Sequence, residues 1–220
     1  RTIVVGSSPD LNRGGRFEAR ALPSEAQMAP AFAVCVNDFD GDGREDVFLS
    51  QNFFGTHAET SRHDAGRGLW LRGDGQGGFQ SVPGQQSGLL VYGEQRGAAS
   101  GDFDGDGRDD LAIGIPGEDD GAGAVAILYG SNLGLKARDQ FWNENSSGLN
   151  GSADPDDNFG ATLAVGDFDN DGQDDLAIGI RHKMVDGVAQ AGAVRILYGS
   201  HHNGLRAAGT QFLSQNTPGI

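Results

Sequence analysis

Disulfide bonds cannot organise this chain, because its 220 residues include a single cysteine, Cys35. The cysteine scaffolds of small secreted domains are therefore excluded. Cys35 lies in the apolar segment AFAVCVNDFD, which favours a buried strand thiol over a reactive one. The chain also lacks any apolar run near the roughly 18 residues that a transmembrane helix needs, so we expect no direct membrane insertion.

Positive charge is scarce. The chain has 16 Lys and Arg residues against 31 Asp and Glu residues, which gives a formal net charge of −15. A surface this negative repels the phosphates of nucleic acids and the head groups of anionic membranes. We therefore exclude nucleic acid and anionic membranes as partners.

Glycine is abundant, with 37 residues, more than twice its usual share of about 7%. It has no G-X-Y period, so it predicts many tight turns between many short strands. Twelve Phe residues provide apolar bulk for a core despite the polar average.

One acidic segment occurs three times: DFDGDGREDVFL at 38–49, DFDGDGRDDLAI at 102–113 and DFDNDGQDDLAI at 167–178. Each copy fits the pattern D-x-D-x-D-G-x-x-D, and the first Asp residues stand at 38, 102 and 167. A regular spacing of this kind predicts a repeat architecture.

The loop pattern indicates calcium. Carboxylates at loop positions 1, 3, 5 and 9, with the main-chain carbonyl at position 7, could surround one hard cation with oxygen. An EF-hand is excluded, because its Glu at position 12 is replaced by Leu49, Ile113 and Ile178. The predicted ligands of three Ca²⁺ ions are Asp38, Asp40, Asp42 and Asp46, then Asp102, Asp104, Asp106 and Asp110, then Asp167, Asp169, Asp171 and Asp175, with the carbonyls of Arg44, Arg108 and Gln173.

Four short strands are predicted in each repeat. They lie at 31–40, 45–52, 68–75 and 77–83 in the first unit, at 96–104, 109–115, 123–131 and 139–145 in the second, and at 161–169, 174–180, 192–200 and 210–216 in the third. A single four-stranded meander cannot bury both of its faces, whereas radially stacked sheets bury each other. We therefore predict an all-β chain, a β-propeller of four-stranded blades with the calcium loops between strands 1 and 2.

The repeats resemble the FG-GAP repeats of the integrin α-subunit propeller and the related bacterial VCBS-type repeats. The segments NFGATLAVGDFDNDGQDDLAIGI and AGAVRILYG carry the resemblance, with Phe159-Gly160 as the FG and Gly192-Ala193 near the GAP. The second unit has Arg96-Gly97 in place of FG, and the first lacks a clear FG, which favours a secreted microbial relative. The resemblance implies an extracellular or cell-surface location.

The predicted organisation is a half-blade at 1–27, formed by strands 3 and 4 of a preceding blade, and blades at 28–88, 89–152 and 153–220. Closed propellers usually have about four to eight blades. We therefore expect the ring to be completed by another copy of the chain or by remaining blades of the same protein.

The resemblance implies an adhesion or interaction module for protein or glycan ligands, which bind through the connections 53–66, 116–122 and 181–191. We find no local motif for a nucleophile or an acid–base pair, so we expect no enzyme and no catalytic residues. The alternatives are an accessory or catalytic propeller domain of a secreted polysaccharide-active enzyme, and a lectin. The only two Trp residues, Trp70 and Trp142, lie in predicted strands, which weighs against a lectin.

Three other motifs are interpreted as surface features. Arg72-Gly73-Asp74 fits a turn between strands. The loop residues His57, His63 and Asp64 lack the spacing of a zinc site. The acidic stretches are interpreted as solvated turns, and they comprise Asp119, Asp120, Asp154, Asp156 and Asp157.

Overall fold

The regular secondary structure is β-strand apart from three short helical turns in a computed structural model, which describes residues 20–56, 59 and 66–219. Three antiparallel sheets of four strands each follow one another along the chain, and neighbouring strands in each sheet are consecutive in sequence. The predicted all-β class is confirmed. The proposed half-blade at 1–27 falls largely on residues 1–19, which lie outside the described part.

Each of the twelve strands predicted for the three repeat units is present. The first sheet contains β1 (Ala31–Asn37), β2 (Asp46–Gln51), β3 (Leu69–Gly73) and β4 (Phe79–Val82); the second contains β5 (Ala98–Gly101), β6 (Asp110–Ile115), β7 (Ala124–Tyr129) and β8 (Lys136–Trp142); the third contains β9 (Phe159–Gly166), β10 (Asp175–Ile180), β11 (Ala193–Tyr198) and β12 (Arg206–Leu213). Short helical turns lie at Ser24–Gln27, Gly84–Ser87 and Glu118–Gly121. No described helix is long and apolar enough to cross a membrane.

The fourth strands of the second and third sheets begin earlier than predicted, at Lys136 and Arg206 instead of 139 and 210. Each has a register shift that adds a separate pair near its start, Tyr129 with Lys136 and Tyr198 with Arg206. These outer strands are partly exposed and lack a clean alternation of apolar residues. Hydrophobic periodicity therefore could not reveal where they begin.

The sheets stack face to face. Between the first and second sheets, Phe39, Phe48 and Trp70 pack with Leu111 and Ile113. The rings of Phe39 and Trp70 meet edge to face with centroids 6.5 Å apart. Cys35 belongs to the same core, where burial raises its pKa to about 11, as expected for an unreactive thiol.

The second and third sheets pack in the same way, through Phe103, Val125 and Ile127 on one side and Leu176 and Ile178 on the other. The backbones come very close here. A Cβ atom at Gly114 would collide with the carbonyl oxygen of Gly160, so the interface requires glycine on β6.

The outer face of the first sheet is covered in part by the chain itself. Leu22 and Ala26, which precede β1, pack against Val47, Leu49 and Leu71. This part of the outer face is therefore covered by residues that lie within the predicted half-blade segment 1–27.

The third sheet has an open outer face. The Phe at loop position 2 is buried in the first two repeats, with Phe39 2% and Phe103 0% exposed, but Phe168 is 49% exposed. Val194 is 37% exposed, whereas its repeat equivalent Val125 is 0% exposed. Phe168 therefore does not tie its loop to a core, because no described sheet packs beyond it.

The different burial of Phe103 and Phe168 predicts that the same Phe→Ala substitution has unequal effects at these two equivalent positions. Phe103→Ala should lower the free energy of unfolding by about 3–5 kcal/mol, because it leaves a cavity between two sheets. Phe168→Ala should cost less than about 1 kcal/mol, because its ring is half exposed. Urea unfolding of both variants measures the two values, and equal losses would contradict this assignment of the interfaces.

Candidate metal centres

Three acidic loops join the first two strands of each sheet, and all three are closed by the same hydrogen bonds. In the second loop, the carboxylate of Asp102 accepts the amide of Asp106 at 3.0 Å and that of Gly107 at 2.8 Å. Asp38 and Asp167 accept the equivalent amides in the other loops. The first Asp is therefore held at the centre of each loop.

The tight curl of the loops requires the left-handed backbone conformation expected at positions 4 and 6. Gly105 and Gly107 have φ of +67° and +84°, and Asn170 and Gly172 in the third loop have φ of +60° and +91°. Asn is among the few side chains that tolerate this region.

The Asp at position 9 of each loop is buried and connects strands. Asp110 accepts the amide of Phe103 at 2.9 Å and that of Gly130, after β7, at 2.8 Å. Asp175 makes the equivalent pair of bonds, while Asp46 accepts the indole N–H of Trp70 in place of the loop amide. These bonds tie each loop to the third strand, a role that the sequence pattern did not reveal.

Burial makes these carboxylates costly to ionise. Desolvation raises the pKa of Asp110 to about 8 and that of Asp46 to about 6, although backbone amides donate to both. Burial also raises the pKa of Asp175. The carboxylates at the other loop positions add repulsion to these shifts. A cation close to the loop would reverse the effect, since an opposite charge favours the ionised carboxylate.

Each loop brings three carboxylates together, with oxygen atoms that all lie within 4.8 Å of one another. Positions 1 and 3 contribute in every loop. The third carboxylate comes from position 5 in the first loop and from position 9 in the second and third. The sets are Asp38, Asp40 and Asp42; Asp102, Asp104 and Asp110; and Asp167, Asp169 and Asp175. The carbonyl ligands from Arg44, Arg108 and Gln173 stay a prediction.

Arginine side chains pair with some of the loop carboxylates, both inside and outside these sets. At position 5, Asp106 pairs with Arg108 at 3.1 Å. In the first loop, the Arg72 Nε atom lies 2.6 Å from the Asp40 carboxylate. Asp74 accepts the amides of Gln76 and Gly78, which confirms the turn interpretation for this residue, whereas Arg72 and Gly73 are the last residues of β3.

The second and third loops touch each other. The amide of Asp102 donates to the Asp174 carboxylate at 2.9 Å, and the amide of Asp174 donates to the Asp102 carbonyl at 3.1 Å. The amide of His202 donates to the Asp104 carbonyl at 2.7 Å. A change in either loop therefore acts on the interface between the two sheets.

Asp110 connects strands through hydrogen bonds, whereas the exposed Asp106 is predicted only to bind calcium. Substitution in calcium-free buffer separates these two roles. Asp110→Ala leaves the amides of Phe103 and Gly130 without their acceptor and should lower the free energy of unfolding by about 2–4 kcal/mol. Asp106→Ala removes an exposed carboxylate of the same loop and should cost less than about 1 kcal/mol. Thermal or urea unfolding compares the two variants, and an equal loss would show that Asp110 does not connect the strands.

A buried charge network lies outside the loops and was missed by sequence reasoning. Lys183 lies 2.7 Å from Glu144 and 2.8 Å from Asp157, and Arg195 lies 3.3 Å from Glu144. Asp157 is only 3% exposed, so its interpretation as part of a solvated turn is wrong. One signal was available: Arg195 interrupts an otherwise shared segment, GAVRILYG against GAVAILYG. His57, His63 and Asp64 lie outside the described residues.

Two segments of the sequence match a known family of repeats. The model of the FG-GAP repeat matches residues 96–128 and 159–197, the core of the second and third units. The chain thus contains two FG-GAP repeats. The first unit, which lacks a clear FG, lies outside the matched residues.

Two curated relatives place these repeats in larger proteins. Integrin alpha-4 of Xenopus laevis is 33% identical over 192 residues, which cover 80% of this chain and 18% of that protein. The phosphatidylinositol-glycan-specific phospholipase D of Rattus norvegicus is 35% identical over 114 residues, which cover 50% of this chain and 14% of that protein. The chain thus spans less than a fifth of the length of either relative.

Among solved structures, a rhamnogalacturonan lyase of Bacillus licheniformis aligns with 100% of this chain and 38% of its own, at 14% identity and a TM-score of 0.46.

Proposed function

We propose that this chain is part of a calcium-binding extracellular β-propeller that serves as an interaction module for protein or glycan ligands. The observation that supports it most is the threefold recurrence of one carboxylate geometry. In each loop, the carboxylate at position 1 is fixed by two amides, and its oxygens lie within 4.8 Å of two further carboxylates. Three unrelated acidic turns would not be expected to form the same amide–carboxylate hydrogen bonds at the same loop positions.

The donor set suits Ca²⁺, since it consists of carboxylate oxygens alone, without nitrogen or sulfur. Loop positions 1, 3, 5 and 9 and the carbonyl at position 7 would hold the ion. The ion would place positive charge among crowded, partly buried carboxylates. Its role would be structural, because it would offset their mutual repulsion. Sites of modest affinity fill where calcium is millimolar, which favours a secreted or cell-surface location.

Calcium should therefore stabilise the fold. A free ion at 100 times its dissociation constant adds about 2.7 kcal/mol per site, and each kcal/mol raises the melting temperature of a chain this size by about 2–4 °C. We expect a marked rise with Ca²⁺ that a chelator reverses. Calorimetry should count three sites in the parent chain and one fewer in Asp104→Asn.

The matched control is Asp120→Asn, which removes an exposed carboxylate outside the loops. It should leave both the melting temperature and the number of sites unchanged. An identical melting curve of the parent chain in calcium and in chelator would overturn the calcium proposal.

The ligand-binding surface should lie on the end of the sheets opposite the acidic loops. In antiparallel sheets, the connections from β6 to β7 and from β10 to β11 leave from that opposite end. The β10–β11 connection exposes Met184 and Val188, which are 57% and 49% exposed. Protein pull-down and a glycan array, each in calcium and in chelator, test this proposal, and capture that is equal in both would contradict a calcium-supported module.

A further four-stranded unit should cover the outer face of the third sheet. Phe168 and Val194 are exposed there, while Phe103 and Val125 are buried in the interface between the second and third sheets. The unit would come from a second copy or from remaining blades of the same protein. Light scattering of the 220-residue chain should show self-association that Phe168→Asp weakens, and a monomer at all concentrations would leave no role for a second copy.

An accessory domain of an enzyme is the second candidate. The relative in Rattus norvegicus is named as a phospholipase D, and the matched residues form only 14% of it. In such an arrangement, this chain would bind and position, and catalysis would belong to another part of the protein. A purified chain with no hydrolase or lyase activity on polysaccharides would agree with either candidate and exclude a catalytic propeller.

A further inference from the structure

Lysine is rare in this chain, and the one lysine whose side chain the structure describes is buried. Of the 16 basic residues only Lys136 and Lys183 are lysines, and the others are arginines. Arginine is the usual choice for a buried ion pair, because its planar guanidinium stays charged and fits a carboxylate. Lys183 nevertheless lies between two buried acids, Asp157 and Glu144. Lysine differs from arginine in that its amine, once it has lost a proton, is a nucleophile.

The three side chains of this cluster meet at contact distance. The Lys183 Nζ atom lies 2.8 Å from Asp157 Oδ2 and 2.7 Å from Glu144 Oε2. It also donates to the carbonyl of Ser152. The amide of His182 donates to the Asp157 carbonyl at 3.0 Å, so the backbones beside Lys183 and Asp157 are fixed against each other. An amine and a carboxyl group held in this way have an effective concentration that can reach roughly 10⁵ M or more.

The two acids have different surroundings, which suit them to different roles. Arg195 lies 3.3 Å from Glu144, and an adjacent positive charge favours the ionised carboxylate. Glu144 Oε2 has no hydrogen-bond partner among the described residues although it lies beside Lys183 Nζ, so it can accept a proton. In the described part of the chain Asp157 pairs with no cation except Lys183, and its Oδ2 also accepts the amide of Asp154 at 3.0 Å. Glu144 is thus suited to act as a base, and Asp157 to be protonated and attacked.

Condensation of Lys183 with Asp157 would remove two buried charges. Desolvation disfavours the ammonium, but the carboxylates of Asp157 and Glu144 outweigh it and raise the pKa of Lys183. The proton therefore stays within the cluster, and the neutral amine forms by its transfer to Asp157. An amide would replace an ion pair, whose desolvation is costly, with a neutral group, while Glu144 keeps its partner Arg195.

We propose that Lys183 and Asp157 form an isopeptide bond, with Glu144 as the acid–base group. The Lys183 ammonium gives one proton to the Asp157 carboxylate, and the amine then attacks Cγ to form the Nζ–Cγ bond. Glu144 takes a second proton from the nitrogen and passes it to the Cγ–OH group, and the C–O bond breaks to release one water molecule. No other reactant is needed, and Glu144 returns to its ionised form.

The bond would join residues that are 26 positions apart. It would link the segment before β9 to the β10–β11 connection, which carries the exposed Met184 and Val188 at the proposed ligand-binding end. A covalent bond would hold that connection in place in a chain that cannot form an internal disulfide. The inference goes beyond the proposed function and does not depend on it, because no step involves calcium or a ligand.

Intact-mass spectrometry of the denatured chain tests the bond directly. The purified chain should be lighter than its sequence by one water molecule. A tryptic digest should contain the peptide 182–195 joined to the peptide 139–181 by a bond between Lys183 and Asp157. The mapping is essential, because an Asp-Gly step such as Asp186-Gly187 can also lose water by forming a succinimide, which joins no peptides and is opened by hydroxylamine.

Substitutions separate the covalent bond from the ion pair. Lys183→Arg keeps a positive charge between the same carboxylates but cannot form the amide, so it should have the full mass and melt roughly 5–10 °C lower. Glu144→Gln keeps the amine and the acid but lacks the base, so it should also have the full mass. The matched control is Asp154→Asn, which changes an exposed carboxylate 3.5 Å from the same nitrogen and should still lose water.

A parent chain of full mass after incubation at neutral pH would overturn the inference and leave Lys183 as one member of an ion-pair network. Water loss that maps to other residues, or that persists in Lys183→Arg, would overturn it as well. Water loss that persists in Glu144→Gln would contradict the role of Glu144. The measurement on the parent chain decides the existence of the bond whether or not a variant folds.

Discussion

The stacking of one four-stranded sheet on the next is the interaction on which the rest of this structure depends. Each sheet is an antiparallel meander with apolar residues on both faces, and neither face is stable in water unless another layer covers it. The second sheet is covered on both sides, and its strands β6 and β7 are buried along their whole length. In the first sheet β2 is equally buried, because Leu22 and Ala26 cover part of its outer face. In the third sheet, which has one described neighbour, β10 and β11 are partly exposed.

The acidic loops are part of this stacking. Their central carboxylates hold loop amides, and their last carboxylates hold the end of the third strand, so each loop is built into its sheet. The amide of Asp102 and the carboxylate of Asp174 then join one loop to the next. Calcium bound in such loops would act on the blades and on their interfaces together, because Asp102 contributes its carboxylate to the loop and its amide to the contact with Asp174.

The opposite end of the sheets is organised by a different set of charges. Lys183 and Arg195 converge on Glu144, a residue of the connection between the second and third sheets. Buried ion pairs often stabilise a core less than apolar residues of the same volume, because the free energy of desolvating two charges can exceed their attraction. The interface between the first and second sheets is filled instead by apolar side chains such as Phe48, Trp70 and Leu111, so the two interfaces are chemically distinct.

The sequence by itself determined the repeats, the twelve strands and the grouping of carboxylates in each loop, because these are local properties of spacing, turn residues and apolar runs. Tertiary structure alone decided the rest. Phe103 and Phe168 occupy the same loop position, yet one is buried and the other is half exposed, since burial depends on whether a neighbouring sheet is present. Likewise Asp157 resembles any acidic turn residue until Lys183, 26 positions away, is brought against it by the packing of β9 and β10.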